Sequence, residues 1–306
     1  MSKPLEEEVA VKKNKTLRVV TGIIISIIAL SAIALGSIPL YIMLGIIIIL
    51  CSKEYVKILN NKGFYPSFTV MLFADIVFLT LTFFHRFDLI SSMLALAVMA
   101  SFLSVLFKGR QPYIVNVATT ILGTLYTAWL PCHILLIRQI GMTRVSAFQL
   151  SFSEGLWLLM FVFVAVALTD IGAYYFGVKF GKHKLAEVIS PKKTVEGAIG
   201  GALCAILISC CGVFYTQLTL LQAIIGGMIV TLSAQLGDLS ESLIKRDAGV
   251  KDSSNILPGH GGMLDRFDGY LFAIPVAYYF FTHFTHGKNV LIEFFNYAKG
   301  VINVYF

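Results

Sequence analysis

Residues 235–268 read QLGDLSESLIKRDAGVKDSSNILPGHGGMLDRFD. They hold six carboxylates, four cations and five glycines, with apolar runs on both sides. Such runs fill most of the chain. Of 306 residues, 57% are hydrophobic and 13% charged, and the mean hydropathy is +0.82. A soluble domain carries about twice that charge. The stretch is therefore a polar island between membrane spans, and the chain reads as an all-α, polytopic integral membrane protein. The net charge of +7 does not call for nucleic acid, because the cations sit between spans. Cys51, Cys132, Cys204, Cys210 and Cys211 lie in or beside apolar runs without a C-x-x-C pair. Neither disulfides nor zinc is expected from them.

A spanning helix takes roughly 20 apolar residues. On that rule about nine transmembrane helices are expected, near 19–36, 38–52, 67–84, 89–107, 113–137, 156–178, 195–215, 219–238 and 269–284. With the N-terminus in the cytoplasm, 19 of the 24 Lys and Arg residues fall on the cytoplasmic side. Arg86, Arg138, Arg144, Lys288 and Lys299 remain outside. That asymmetry obeys the positive-inside rule. Residues 1–150 then form an N-terminal region of five spans. Residues 151–306 form a C-terminal region of four spans that carries the polar island. The two richest polar loops, about 179–194 and the island itself, face the cytoplasm. The tail from Val290 reads either as an interfacial helix or as a frayed end.

Three constellations carry chemistry. In the sixth span, Asp170, Tyr174, Gly177 and Gly181 are spaced 4, 3 and 4 and share one helical face. A carboxylate there costs roughly 2.5–3.5 kcal/mol to insert. The face is either a polar seam for a ligand or a close helix contact sealed by an Asp–Tyr hydrogen bond. Asp75, in the third span, lacks such company and reads as a helix–helix contact. The second constellation is Ser190-Pro191-Lys192-Lys193-Thr194-Val195-Glu196-Gly197. Here a loop enters a helix, with Ser190 as cap and Pro191 in the first turn. Lys192, Lys193 and the free N–H groups form either an anion cradle or a plain capped helix with cytoplasmic lysines.

The third constellation is the island. Gln235, Asp238, Ser242 and Lys245 are spaced 3, 4 and 3, so they share a face if the eighth span continues as a helix. Gly249 is placed to end that helix. Asp238 and Asp265 stand at the two membrane re-entry points and can reach one site. Mg²⁺ suits such hard oxygens, taking one or two protein carboxylates plus substrate phosphates. Lys245, Arg246, Lys251 and Arg266 can neutralise phosphate charge. His260 lies between glycines, and the other histidines have no partner at metal spacing. No Ser-His-Asp set or G-x-S-x-G elbow supports covalent catalysis.

From Ser242-x-Ile244-Lys245-Arg246, through Lys251-Asp252, to Leu257-Pro258-x-His260-Gly261-Gly262-Met263-x-Asp265-Arg266-Phe267-Asp268, the island resembles the signature of the CDP-diacylglycerol synthase (phosphatidate cytidylyltransferase) family. The Asp170 span and the Ser190 loop resemble the same family, so the likeness covers roughly 165–275. The resemblance implies that CTP and phosphatidic acid give CDP-diacylglycerol and pyrophosphate. It implies Mg²⁺ held by Asp238 and Asp265, with a monovalent cation such as K⁺ beside it. On that reading Lys192, Lys193, Lys245, Arg246, Lys251 and Arg266 share the phosphate charge, and His260 binds phosphate or acts as an acid. Asp170 and Tyr174 meet the lipid head group. Ser190, Thr194, Glu196, Ser242 and Asp252 complete the substrate-binding set. The expected partners are CTP, phosphatidic acid and the bilayer, without nucleic acid and with room for a homodimer. In a bacterium the location is the inner membrane. Two other readings stay open: a CTP-dependent lipid kinase or a synthase acting on an ether lipid, and a transporter with Asp75 and Asp170 as a cation relay.

Overall fold

The computed structural model describes residues 21–22, 24–141, 153–257 and 261–285. His260, the boundary expected at residue 150, and the tail lie outside them. Nine helices occur among the described residues: α1 (Ile24–Leu35), α2 (Ser37–Asn61), α3 (Phe68–Phe83), α4 (Ile90–Lys108), α5 (Tyr113–Arg138), α6 (Glu154–Phe180), α7 (Val195–Cys211), α8 (Leu220–Asp247) and α9 (Leu264–Phe280). Five of them, α4 to α8, are long and apolar enough to cross a membrane. The expected nine is thus matched as a number of helices, and five pass that test as spans.

Three expectations need correction. The helix of the second span continues past residue 52. Cys51, Tyr55, Ile58 and Leu59 are all buried, so the apolar periodicity carries α2 through Lys53, Glu54 and Lys57 to Asn61. The last helix starts at Leu264 rather than 269, because Leu264 and Phe267 pack into the core. The loop before α7 is not all irregular: β1 (Lys184–Ala186) and β2 (Ser190–Thr194) pair antiparallel, with Lys184 opposite Thr194 and Ala186 opposite Ser190.

Helix α5 is the most buried of the apolar helices and packs against α2, α3, α4, α6 and α9. Its run is interrupted by one π turn, Leu125–Trp129, just before Pro131. Proline has no N–H to give the preceding turn, and the wider turn absorbs its ring. At the end of α5, buried Arg138 donates to the carbonyls of Ile33 (3.0 Å) and Ala34 (3.4 Å) and to Ser153 Oγ (2.5 Å). It thereby ties α1, α5 and α6 together.

The closest helix pair is α6 with α7, and glycine makes the approach feasible. A Cβ at Gly201 would lie 2.5 Å from the Thr169 carbonyl, and one at Gly197 would lie 2.7 Å from that of Ala173. Helix α4 is the opposite case. Only Met93, Ala97 and Ser101 are buried in it, and Leu96, Met99, Phe102, Leu106 and Phe107 point outward. Large apolar side chains on the outside are what a lipid-facing surface requires.

Candidate active site

The site is a polar seam between two antiparallel helices, α8 leaving the bilayer and α9 re-entering it. Their backbones touch at Gly237, where a Cβ would lie 2.6 Å from the Asp268 carbonyl. Beyond that contact, toward the C-terminal end of α8, the facing side chains are polar. Helix α8 runs unbroken to Asp247 and turns at Gly249 (φ 70°), as the spacing predicts. The Val250 N–H closes on the Lys245 carbonyl at 2.9 Å.

Asp238 pairs with Lys193 from β2 at 2.5 Å, and Ser242 Oγ approaches it at 3.5 Å. It also lies within electrostatic reach of Asp170 on α6 and of Asp268 on α9. Asp170 in turn senses Lys193 and Arg266. Charged residues of α6, β2, α8 and α9 thus lie within electrostatic reach of one another across the seam.

Asp265 stands in the first turn of α9. Lys245 Nζ reaches its Oδ1 at 2.7 Å and also pairs with the fully buried Glu241. Asp265 further accepts from the Ser253 N–H (3.0 Å), Ser253 Oγ (2.9 Å) and the Gly262 N–H (2.8 Å). Four donors thus fix one carboxylate. The charge of Asp238 acts on Asp170 and Asp268, while Asp265 is joined to Lys245.

Two functional candidates escaped the sequence reading. Glu54, 1% exposed, comes from the C-terminal part of α2. It accepts from Ser253 Oγ (2.9 Å), Ser254 Oγ (2.5 Å) and the N–H groups of Met263 (2.9 Å) and Leu264 (2.8 Å). The last two are free donors at the start of α9, so Glu54 closes that helix end from another part of the chain. Ser253 is the second, because its hydroxyl lies between Glu54 and Asp265. A side chain at Gly262 cannot fit here, since its Cβ would fall 1.8 Å from Ser253 Oγ. A signal for Glu54 was present: Cys51, Glu54 and Ile58 are spaced 3 and 4, which puts the acid on the buried face.

The other expected site residues have these places. Ser190 is not a helix cap; it lies in β2, and Thr194 caps α7 by accepting from the Gly197 N–H at 3.2 Å. Thr194 is next to the first helical residue, where a cap must be, while Pro191 keeps an edge strand open. Glu196 is held by the Lys182 and His183 N–H groups and by His183 Nδ1 (2.6 Å). Arg246 donates to the Ile189 carbonyl at 3.2 Å and docks the hairpin on α8. Gly177 and Gly181 pack on Thr194, which supports the close-contact reading of that face. Tyr174 is exposed and stacks edge-on with Tyr175, so no Asp170–Tyr174 bond closes the seam. Lys192, Lys251, Asp252 and Arg266 are exposed around the crevice and loop. Asp75 is buried and accepts from Ser52 Oγ at 2.6 Å, a contact between α2 and α3.

Magnesium can be tested against these donors. No three Asp, Glu, His or Cys side chains among the described residues are placed to enclose a metal. Mg²⁺ does not need three, since it takes one or two carboxylates and completes its shell with phosphate and water. Asp238, flanked by the carboxylates of Asp170 and Asp268, offers hard oxygens of that kind.

Comparison with known sequences agrees. The profile of the cytidylyltransferase family matches residues 16–284. A protein of Synechocystis named phosphatidate cytidylyltransferase is 32% identical over 284 residues, covering 87% of this chain and 96% of that one. Proteins of the same name from Staphylococcus aureus and Staphylococcus haemolyticus are 50% and 48% identical over 126 residues, 40% of this chain and 48% of theirs. With its polar seam and a family match across most of its length, this chain belongs to the cytidylyltransferase family.

Proposed function

We propose that the protein is a phosphatidate cytidylyltransferase, joining CTP to phosphatidic acid to give CDP-diacylglycerol and pyrophosphate. The observation that carries this is the charged seam of α8 and α9, with Lys193 opposite, at the mouth of an apolar helix bundle. One substrate is a lipid and the other a soluble polyanion, and a site at that border serves both. An oxygen of the phosphatidate phosphate forms a bond to the α-phosphorus of CTP. The bond from that phosphorus to the bridging oxygen of the β-phosphate breaks, and pyrophosphate leaves with the electron pair.

Such transfers rest on positioning and charge stabilisation. Lys193 and Arg266 bring positive charge to the crevice, and Lys245 holds Asp265 in place. Asp170 stands where a lipid head group arriving through the bilayer meets the seam. Asp238 and Asp265 would hold Mg²⁺, with Asp268 beside Asp238 and K⁺ as an accompanying cation. When bound, Mg²⁺ supplies charge neutralisation of the CTP phosphates. The cation asymmetry supports a cytoplasmic N-terminus and site in a multi-pass protein.

The test is purified protein in lipid nanodiscs with labelled CTP, phosphatidic acid and Mg²⁺. A CDP-lipid and pyrophosphate are expected, and absence of both overturns the proposal. Asp265→Asn abolishes turnover while the protein still folds. Full activity in that variant removes Asp265 from the chemistry.

A further inference from the structure

The sequence reading treats Lys53 and Lys57 as loop cations obeying the positive-inside rule. In the structure they stand on a helix. Nine residues at about 1.5 Å each carry α2 roughly 13 Å past the expected end of its span. Lys53, Lys57 and Asn61 follow one another at i, i+4 and i+8 and form one line on that extension. Facing them is the loop 250–256. Between helix and loop lie two adjoining cavities of about 430 and 190 Å³, which share Lys57, Ser254 and Asn255. Lys53 lines one and Lys251 the other.

The charge state of this cleft is unusual for the protein. Lys62, Lys193 and Lys245 each pair with a carboxylate. Lys53, Lys57 and Lys251 make no hydrogen bond or ion pair among the described residues. The acids on the walls do not cancel them. Glu54 and Asp252 together offset two of the three cations, so the cleft keeps a net positive charge. A concave site lined by unneutralised cations attracts an anion. The cleft also connects to the seam: Ser253 lines it and donates to Asp265 through both its N–H and its hydroxyl.

We propose that this cleft is the polyphosphate subsite, where Lys53 and Lys57 from the N-terminal half bind the β- and γ-phosphates that depart as pyrophosphate. The inference rests on the cytidylyl-transfer reading and adds to it a second region of the chain. Three cations on the walls of the cleft, Lys53, Lys57 and Lys251, suit the several charges of a soluble polyphosphate.

The experiment compares wild type with Lys53→Gln/Lys57→Gln in nanodiscs, using inorganic pyrophosphate as the binding probe and phosphatidate-dependent CTP turnover alongside. Pyrophosphate affinity falls and KM for CTP rises, each by about tenfold for two lost cation contacts, with KM for phosphatidate unchanged. Lys53→Arg/Lys57→Arg restores both. Unchanged pyrophosphate affinity overturns the subsite. So does a rise in KM for phosphatidate alone, which assigns the lysines to the lipid. If wild type binds pyrophosphate through these lysines yet makes no CDP-lipid, the subsite stands and the cytidylyl-transfer reading falls.

Discussion

Replacing Glu54 with alanine tests whether the N-terminal half holds the catalytic loop in place. The substitution removes the acceptor of four donors. The two serine hydroxyls can turn elsewhere, Ser253 toward Asp265. The N–H groups of Met263 and Leu264 cannot, since both are fixed at the start of α9. At about 1–3 kcal/mol for each buried donor left without a partner, the docked loop loses about 2–6 kcal/mol. Water entering from the adjoining cleft offsets part of this, which favours the lower end. A loss of about 2–3 kcal/mol is roughly a 30- to 150-fold change in the docking equilibrium. Hydrogen–deuterium exchange over residues 261–264 reads that equilibrium, because protection falls by the same factor where opening is local. Glu54→Gln keeps the shape and one acceptor oxygen, and lies between the two. Turnover falls in the same order, since Ser253 and Gly262 hold Asp265. Unchanged exchange at Met263 and Leu264 in Glu54→Ala refutes the reasoning.

Two further outcomes are expected. Gly201→Leu pushes α7 off α6, because even a Cβ there meets the Thr169 carbonyl at 2.5 Å. At about 1–3 kcal/mol or more for overpacking, thermal stability in detergent drops by several degrees. In a background with Cys204, Cys210 and Cys211 changed to serine, Lys192→Cys and Asp88→Cys react with a membrane-impermeant thiol reagent from opposite faces, and labelling from the same face breaks the proposed topology.

The parts of the site that run along one helix were legible in the sequence. Asp238, Ser242 and Lys245 follow helical spacing, and Gly249 ends the helix where that spacing stops. What escaped is what tertiary contact decides. Glu54 stands in a Lys-rich segment that looks like a cytoplasmic loop, and only its place on a buried helical face shows that it serves residues about two hundred positions later. The partner of Asp265 is decided in the same way. The register of α8 against α9, set where Gly237 meets Asp268, puts Asp265 level with Lys245. Ser190 and Thr194 both suit a cap, and the hairpin chose between them. The nine-span count came from composition, which registers apolar length but not how far a packed helix continues beyond the bilayer.

Helix α4 has a consequence for how the membrane acts on this protein. With the 3₁₀ turn Phe87–Leu89 that leads into it, it is 22 residues long, about 33 Å, close to a hydrocarbon core of about 30 Å. It is fastened along a single line of three buried residues and packs mainly on α3 and α5. A change in bilayer thickness costs only fractions of a kcal/mol per Å when a helix tilts to follow it. Helix α4 has the freedom to tilt, whereas α8 and α9 are locked backbone to backbone. Thickness mismatch is therefore absorbed at the periphery, and the seam keeps its geometry as the surrounding lipid changes.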